Sequence, residues 1–482
     1  MELTTVNGKS LDGTVNTSKP LTVCEKIRLV LSNITVEPLV FLFLFPSVLM
    51  VLSVANLDLE KACRVNLKYN NSICDALALR NKSMYTAEQE NAVQKLVTTM
   101  NAWKSVIKGV IPACLLLVLG SWSDRNNRRK PLMGLPIIGE FITVTGFILC
   151  AYFFYELPME VTGFFEVVPT ALTGGWFTMF MAIYSYISSV STIESRTTRI
   201  GALKICVHCS IMTGMALSGI LYHVITLYGI FCGALLLYIG GFIYLIVVIK
   251  EKKTDDIHSG GSRWEMFKDC FKFQHVKSTF MVVLKPREKN YRTRMFVILT
   301  LIVLTIGPMH GEISVIYLFA RKQFQWNEVE FSMFYSVNVV LHLIGTIIAL
   351  ALFCNYFKLH DSAVAMICYT GKLFSAFMYA FAKTPLMYCL AFNCKECIDV
   401  NNRFRSFLGK LNAVIAILEA LTPLLFGLLY NLVYRSTIEV LPGAFYLVVS
   451  IVWIPCMTLF GWLYVQENND AKEAQNQETL LP

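Results

Sequence analysis

The sequence predicts an all-α polytopic membrane protein, with about twelve transmembrane helices in two six-helix halves. Three observations carry this. Of 482 residues, 55% are hydrophobic and 16% charged, with mean hydropathy +0.55, whereas a soluble domain carries about 25% charge. The apolar residues fall into runs of roughly twenty, each able to cross a ~30 Å hydrocarbon layer at ~1.5 Å per residue. The runs lack the period-two alternation of barrel strands, and lipid tolerates only helices or closed barrels. A secreted disulfide scaffold, a nucleic-acid module and a cytosolic enzyme are excluded on these grounds.

The runs lie at 38–57, 102–122, 132–154, 163–188, 200–223, 229–249, 295–318, 331–353, 362–382, 385–401, 412–433 and 444–465. A polar tail, 1–36, precedes them and has no leading apolar segment of the kind a cleavable signal carries. The first half spans 37–249. A hydrophilic stretch at 250–294 holds 12 Lys/Arg against 6 Asp/Glu and reads as a basic linker. The second half spans 295–465, and 466–482 form a second tail. With both termini cytoplasmic, 27 Lys/Arg face inside and 10 face outside, the asymmetry that sets membrane orientation. The plasma membrane is the expected location, with an endolysosomal membrane as the other option. The long loop 58–101 is then external. It meets an oxidising compartment, which favours a Cys63–Cys74 bridge. Asn70 and Asn81 in that loop match the N-x-S glycosylation pattern.

Between the second and third runs stands Gly120-Ser-Trp-Ser-Asp124-Arg125-Asn126-Asn127-Arg128-Arg129-Lys130. Gly120 and Asp124 share a helix face. Gly120 permits close helix approach, Asp124 can accept from a helix N-terminus or pair with an arginine, and Arg128 and Arg129 anchor the turn. Such a loop works as a gating latch between moving halves.

This run is similar to the G-x-x-x-D-R-x-G-R-R loop of the major facilitator superfamily. More narrowly, the chain resembles the proton-coupled folate transporter family (solute carrier family 46). That resemblance rests on Val36–Phe41, the Gly120 loop through Leu132, Ser195–Arg199, Lys358–Asp361, Tyr379–Ala382 and Glu419–Leu424. It implies alternating access about a midplane site and substrates among folates, peptidoglycan fragments and other organic anions. It implies an arginine at Arg405, at the cytoplasmic end of the tenth helix. Three departures stand out. Lys204 occupies the place of a fifth-helix glutamate tied to proton coupling, Gly175 that of an acidic group in the fourth helix, and Leu411 runs straight into Asn412 where the family inserts a polar loop.

Charge inside a membrane is costly and marks cavities or partners. Lys204 and His208 sit one turn apart on the fifth helix. A cationic Lys204 attracts an anion in a low-dielectric cavity; a salt bridge with a neighbouring glutamate is the other reading. In the seventh helix, Gly307-Pro308-Met309-His310-Gly311-Glu312 predicts a break that exposes His310 and Glu312. His310 is the first candidate proton carrier, against the reading of a packed, hydrogen-bonded histidine. Lys372 and Glu419 complete the substrate and coupling candidates. Lys104 and Lys108 lie near the outer end of their helix and read as snorkelling charges; Glu166 also lies near an outer end, and Glu140 is deeper, with a latch to a basic neighbour and a functional role both open. The Cys-x-x-Cys spacings at Cys206–Cys209 and Cys394–Cys397 lack the four ligands zinc needs. No phosphate-binding loop is evident. No metal, cofactor or nucleic acid is implied. The expected function is secondary active transport of a small organic anion, with protons as a second cargo and the lipid bilayer as surroundings. A non-transporting receptor on the same fold and a multispan enzyme are the alternatives.

Overall fold

The computed structural model describes residues 35–126, 128–191, 193–251, 291–349, 352–353, 356–357, 359–395 and 412–479. Most of the linker and Arg405 lie outside the described residues.

The chain enters the bundle at α1, Glu37–Lys61, whose first carboxylate holds the entering backbone: Glu37 Oε2 accepts from the backbone N–H of Thr35 at 2.9 Å and Val36 at 3.1 Å. A π-helical turn, Ala62–Asn66, follows, and then α2, Asn71–Leu79. The helix α3, Ala87–Asn126, opens with a reciprocal capping box between Thr86 and Gln89. Next come α4 (Lys130–Tyr152), α5 (Met159–Leu172), α6 (Gly175–Val190), α7 (Ile193–Val224) and α8 (Thr226–Val247). The second set is α9 (Tyr291–Phe324), α10 (Glu328–Ala349), α11 (Asp361–Ala380), α12 (Pro385–Lys395), α13 (Asn412–Thr422), a π turn at Pro423–Gly427, α14 (Leu428–Thr437) and α15 (Ala444–Thr479). A second capping box, Asn327 with Glu330, starts α10.

Among the described residues, ten helical stretches are long and apolar enough to cross a membrane. Ten of the twelve runs correspond to them. The eighth and tenth runs correspond to α10 and α12, where the described helices end at Ala349 and Lys395. Beyond the last run the described chain stays helical: α15 continues to Thr479, within the segment read as a tail.

Two expectations about breaks are corrected. The seventh helix is unbroken, since α9 runs through Pro308. The fourth is the one interrupted, at Gly174 (φ 76°) and Gly175 (φ 51°), both in the left-handed region that glycine enters without steric cost. In α9 the glycines serve packing. A Cβ on Gly307 would stand 2.2 Å from the Phe426 ring, and one on Gly311 2.6 Å from the Tyr430 ring. Gly109 of α3 lies equally close to Leu424, and Gly427 to Ser105. The glycines therefore let α3, α9 and the π turn approach backbone to backbone.

Helix α1 packs on α7 and α8, α4 on α5 and α8, and α11 on α15 and α12. Contacts between the first and second sets run through α7 with α10, and through α3 with α13, the π turn and α14. Buried aromatics including Phe319, Tyr379, Tyr388, Phe445 and Tyr446 fill the second set, with the Tyr388 and Tyr446 hydroxyls 2.6 Å apart. Gly307→Ala should lower the thermal midpoint of the detergent-purified protein, an overpacking cost of about 1–3 kcal/mol. Gly233→Ala, with open space around its Cβ, should leave the midpoint level or raise it.

Candidate functional site

A cavity of about 440 Å³ lies between the two helix sets. Its polar wall is supplied by Asp58 of α1, Lys104 and Lys108 of α3, Glu140 of α4 and Glu166 of α5. Trp176 and Phe177 of α6 and His310 and Tyr317 of α9 also line it. Lys104 is 5% exposed and Asp58 2%. The Lys104 ammonium is bonded to Glu166 and stands 3.4 Å from Asp58 Oδ2. Lys108, one turn along the same face, bonds Glu166 Oε1 at 2.8 Å. Its side chain keeps 44% exposure. Buried charges stay ionised only when paired and hydrogen-bonded, so this chain of four charges clips α1, α3 and α5 together.

The sequence predicts snorkelling positions for Lys104 and Lys108 and an external loop for Asp58, and the structure corrects both. Asp58 lies within α1 rather than in a loop, and Lys104 points into the bundle. The usable signal was present: two lysines at i and i+4 share one face, so a bilayer-facing pair would need two separate escapes to water.

Of the candidates read from sequence, His310 reaches this cavity. Its ring packs edge-on to Trp176 at 5.8 Å and beside Phe177 at 6.0 Å, and Nε2 is buried without a hydrogen-bond partner among the described residues. Glu312 does not join it. That carboxylate acts electrostatically on Tyr335, Tyr388, Tyr430 and Tyr446 of the second set. Lys204 and His208 share a turn of α7, where His208 Nδ1 lies 2.8 Å from the Lys204 carbonyl oxygen and its ring stacks 6.0 Å from His342. Lys372 lies over the Tyr369 ring at 5.2 Å, and Glu419 stands on α13. Gly175 lines the cavity at a positive φ, so a larger side chain there would be strained.

The Major Facilitator Superfamily profile matches residues 93–394. The chain belongs to the Major Facilitator Superfamily. Among curated relatives of this transporter, one from Drosophila melanogaster, a probable peptidoglycan muropeptide transporter of solute carrier family 46, is 23% identical over 425 residues. That match covers 85% of this chain and 81% of the relative. A Gallus gallus relative, the lysosomal proton-coupled steroid conjugate and bile acid symporter SLC46A3, is 25% identical, covering 89% and 93%. The solved structure of the human organic anion transporter MFSD10 superposes with a TM-score of 0.60 at 13% identity, over 90% of this chain and 99% of that one. A D-xylose–proton symporter superposes with a TM-score of 0.58 at 13% identity, over 91% and 97%. At such identity the structures share the fold with this transporter.

At the end of the bundle that carries the loop, polar contacts tie the transporter's two helix sets. Glu328 accepts from Arg80 at 2.7 Å, Asn56 at 3.0 Å and Tyr317 at 3.2 Å. His223 Nε2 lies 3.4 Å from its other oxygen. Arg321 donates to the Leu77 carbonyl at 2.7 Å, and Tyr434 to Gln94 at 2.8 Å. Arg80 reaches Glu328 because α2 is braced: Cys63 and Cys74 are bridged with Cα atoms 5.9 Å apart, and Arg64 donates to Asn71 and Asp75. Asn70 caps α2, and both Asn70 and Asn81 are exposed.

At the opposite end, Gly120 is buried and Asp124 and Arg125 close α3; the side chains of those two lie outside the described set. Arg128 is exposed, with its carbonyl accepting from Ser123. Arg129 Nε donates to Ser185 at 2.8 Å. Glu251 accepts from the backbone N–H of Arg129 and Lys130, both at 2.7 Å, and so caps α4. The Lys130 ammonium donates to the carbonyls of Ile246 and Ile249 at the end of α8.

Lys104→Met should cost about 3–5 kcal/mol of stability, because Asp58 and Glu166 lose their shared cation. Combining it with Glu166→Leu and Asp58→Leu should recover most of that loss in a thermal unfolding assay. A pH effect follows for Glu328. Burial pushes its carboxyl up, and the Arg80 charge and hydrogen bond outweigh this and hold it below the ordinary range. A depressed carboxyl stabilises above its unfolded value and loses that contribution as pH falls through the folded value. Arg80→Gln should lower the thermal midpoint near neutral pH and shrink the further drop seen on acidification below about pH 4.5, where Glu328 of the wild type loses its stabilising charge; an unchanged acid drop would break the assignment.

Proposed function

We propose that this transporter carries a small organic anion by alternating access, driven by protons. Residues 37–249 and 295–465 act as the moving halves and 250–294 as their linker. The carrying observation is Lys108: a cation held on one side by Glu166, open to the cavity on the other, and facing an aromatic wall. A carboxylate or sulfate on an apolar body fits that pairing, with the anion on the ammonium and the body against Trp176 and Phe177. The Drosophila and Gallus relatives' names, which speak of muropeptides, steroid conjugates and bile acids, agree with an amphipathic anion. The loop-end contacts around Glu328 serve as one gate and the Gly120–Arg129 loop as the other, with Asp124 as its latch. Both termini and the linker face the cytoplasm, so Asn70 and Asn81 carry glycans in the external or lumenal compartment.

Uptake of labelled taurocholate, estrone sulfate and a muramyl dipeptide at pH 5.5 and 7.5, in cells bearing the chain at their surface, tests this. Saturable uptake of at least one, faster in acid, is expected. Lys108→Ala should raise the half-saturation concentration at least tenfold, equal to about 1.4 kcal/mol. Asp124→Ala should abolish flux at unchanged surface abundance. The absence of saturable uptake of all three would favour a receptor or scaffold instead.

A further inference from the structure

The cavity wall holds three carboxylates, and they are not alike. Glu166 is bonded by Lys104 and Lys108, and Asp58 lies against Lys104. Glu140 faces the same cavity from the middle of α4, and among the described residues no ion pair holds it. Its hydrogen-bond partner is the Tyr238 hydroxyl of α8, which donates to Oε2 at 3.4 Å. The charges that act on Glu140 are Lys108, already committed to Glu166, and Glu166 itself.

Helix α1 contributes Asp58 to the wall, α3 contributes Lys104 and Lys108, α5 contributes Glu166 and α9 contributes His310. Of α6, Gly175, Trp176 and Phe177 line it. Helix α8 sets the Tyr238 hydroxyl against Glu140. Lys61, further along α1, is fully buried but donates to the carbonyls of Phe154 at 3.0 Å and Leu157 at 2.7 Å, so it caps the end of α4. Each cation nearby thus has its own partners.

We infer that Glu140 is the seat of the transporter's exchangeable proton. A carboxylate inside the membrane without a cation of its own is costly to leave ionised. Cavity access lets it take a proton from water and return it. The Tyr238 hydroxyl can donate to the charged form, so both forms have a defined partner. An anion arriving at Lys108 adds negative charge beside Glu140 and favours its neutral form. Proton and anion therefore load together, and the pair crosses with less buried charge than the anion alone. His310, set among aromatic rings, is not needed as carrier. This rests on the proton-driven reading above, and the direct test is independent of any substrate.

Infrared difference spectra of the full chain in lipid, taken across a pH titration, should show a carboxylic-acid C=O band that vanishes on alkalinisation. Glu140→Gln should remove that band and Asp58→Asn should leave it, while Glu166→Gln, which frees Lys108 toward Glu140, should move its midpoint to lower pH. Tyr238→Phe should move its midpoint to higher pH, since the charged form loses its donor; this arm stands even if Glu140→Gln folds poorly. A band that survives Glu140→Gln, or a midpoint unmoved in Tyr238→Phe, would overturn the assignment. In the uptake assay, Glu140→Gln should flatten the acid stimulation seen for the wild type, and a preserved stimulation would also overturn it. Failure of the transport reading looks different: no uptake by the wild type, whatever the spectra show.

Discussion

Pairing of charge in a medium without water governs how the first six helices are arranged. Lys104 is almost wholly enclosed, and an ammonium in that position is tolerable only with carboxylates in contact. Asp58 and Glu166 provide them, from helices that precede and follow α3 in sequence. The network therefore fixes the rotation of α1, α3 and α5 about their own axes. A bilayer supplies little hydrophobic force for choosing among helix faces, so polar partners of this kind carry much of that choice. The cavity is a consequence. Where three helices turn their charged faces toward one another, the wall between them cannot be filled with leucine.

Close packing does the corresponding work between the sets. Gly109 and Gly427 meet Leu424 and Ser105 across the seam, and Gly307 and Gly311 meet Phe426 and Tyr430 within the second set, all at separations a methyl group could not enter. Nearer the loop end charge joins glycine: Gly219 lies against Ser332 and the Glu328 backbone, and the Glu328 carboxylate gathers Asn56 of α1, Arg80 just past α2, Tyr317 of α9 and His223 of α7. These two kinds of contact differ in what they permit. Glycine seams allow helices to slide with little change in energy, whereas a buried carboxylate with three donors has to exchange all of them at once. A gate built on Glu328 is accordingly two-state, and the seam below it is compliant.

Much of this was legible in sequence. Run length gave the helix order, and ten of the twelve runs match membrane-length helices among the described residues. The site was less legible, for a definite reason. Hydropathy locates a charge along the membrane normal but not around the helix axis. Lys104 and Lys108 were read from depth alone, as snorkelling residues, although their one-turn spacing required a common partner. The Gly-Pro-Met-His-Gly sequence of α9 misled in the opposite sense. Proline and glycine together suggest a break, yet Gly307 and Gly311 are present because Phe426 and Tyr430 press against them. The actual break, at Gly174–Gly175, follows from two consecutive positive φ angles, which a hydropathy profile does not register.

The departures from the folate-transporter pattern also acquire a physical sense. Gly175 sits in a backbone conformation that disfavours a side-chain-bearing residue, so an acidic group could return there only by reshaping the α5–α6 break. Lys204 places a cation on α7, away from the wall that holds Asp58, Glu140 and Glu166. The acidic function absent from those two positions has a counterpart in Glu140, one helix earlier and facing the same hollow. Relocating a proton site requires little beyond cavity access, a hydroxyl donor and freedom from a competing lysine. The chain meets those conditions at α4 because Glu166 occupies both lysines of α3. The ion-pair network that orients the helices is thus also what leaves one carboxylate available for a proton.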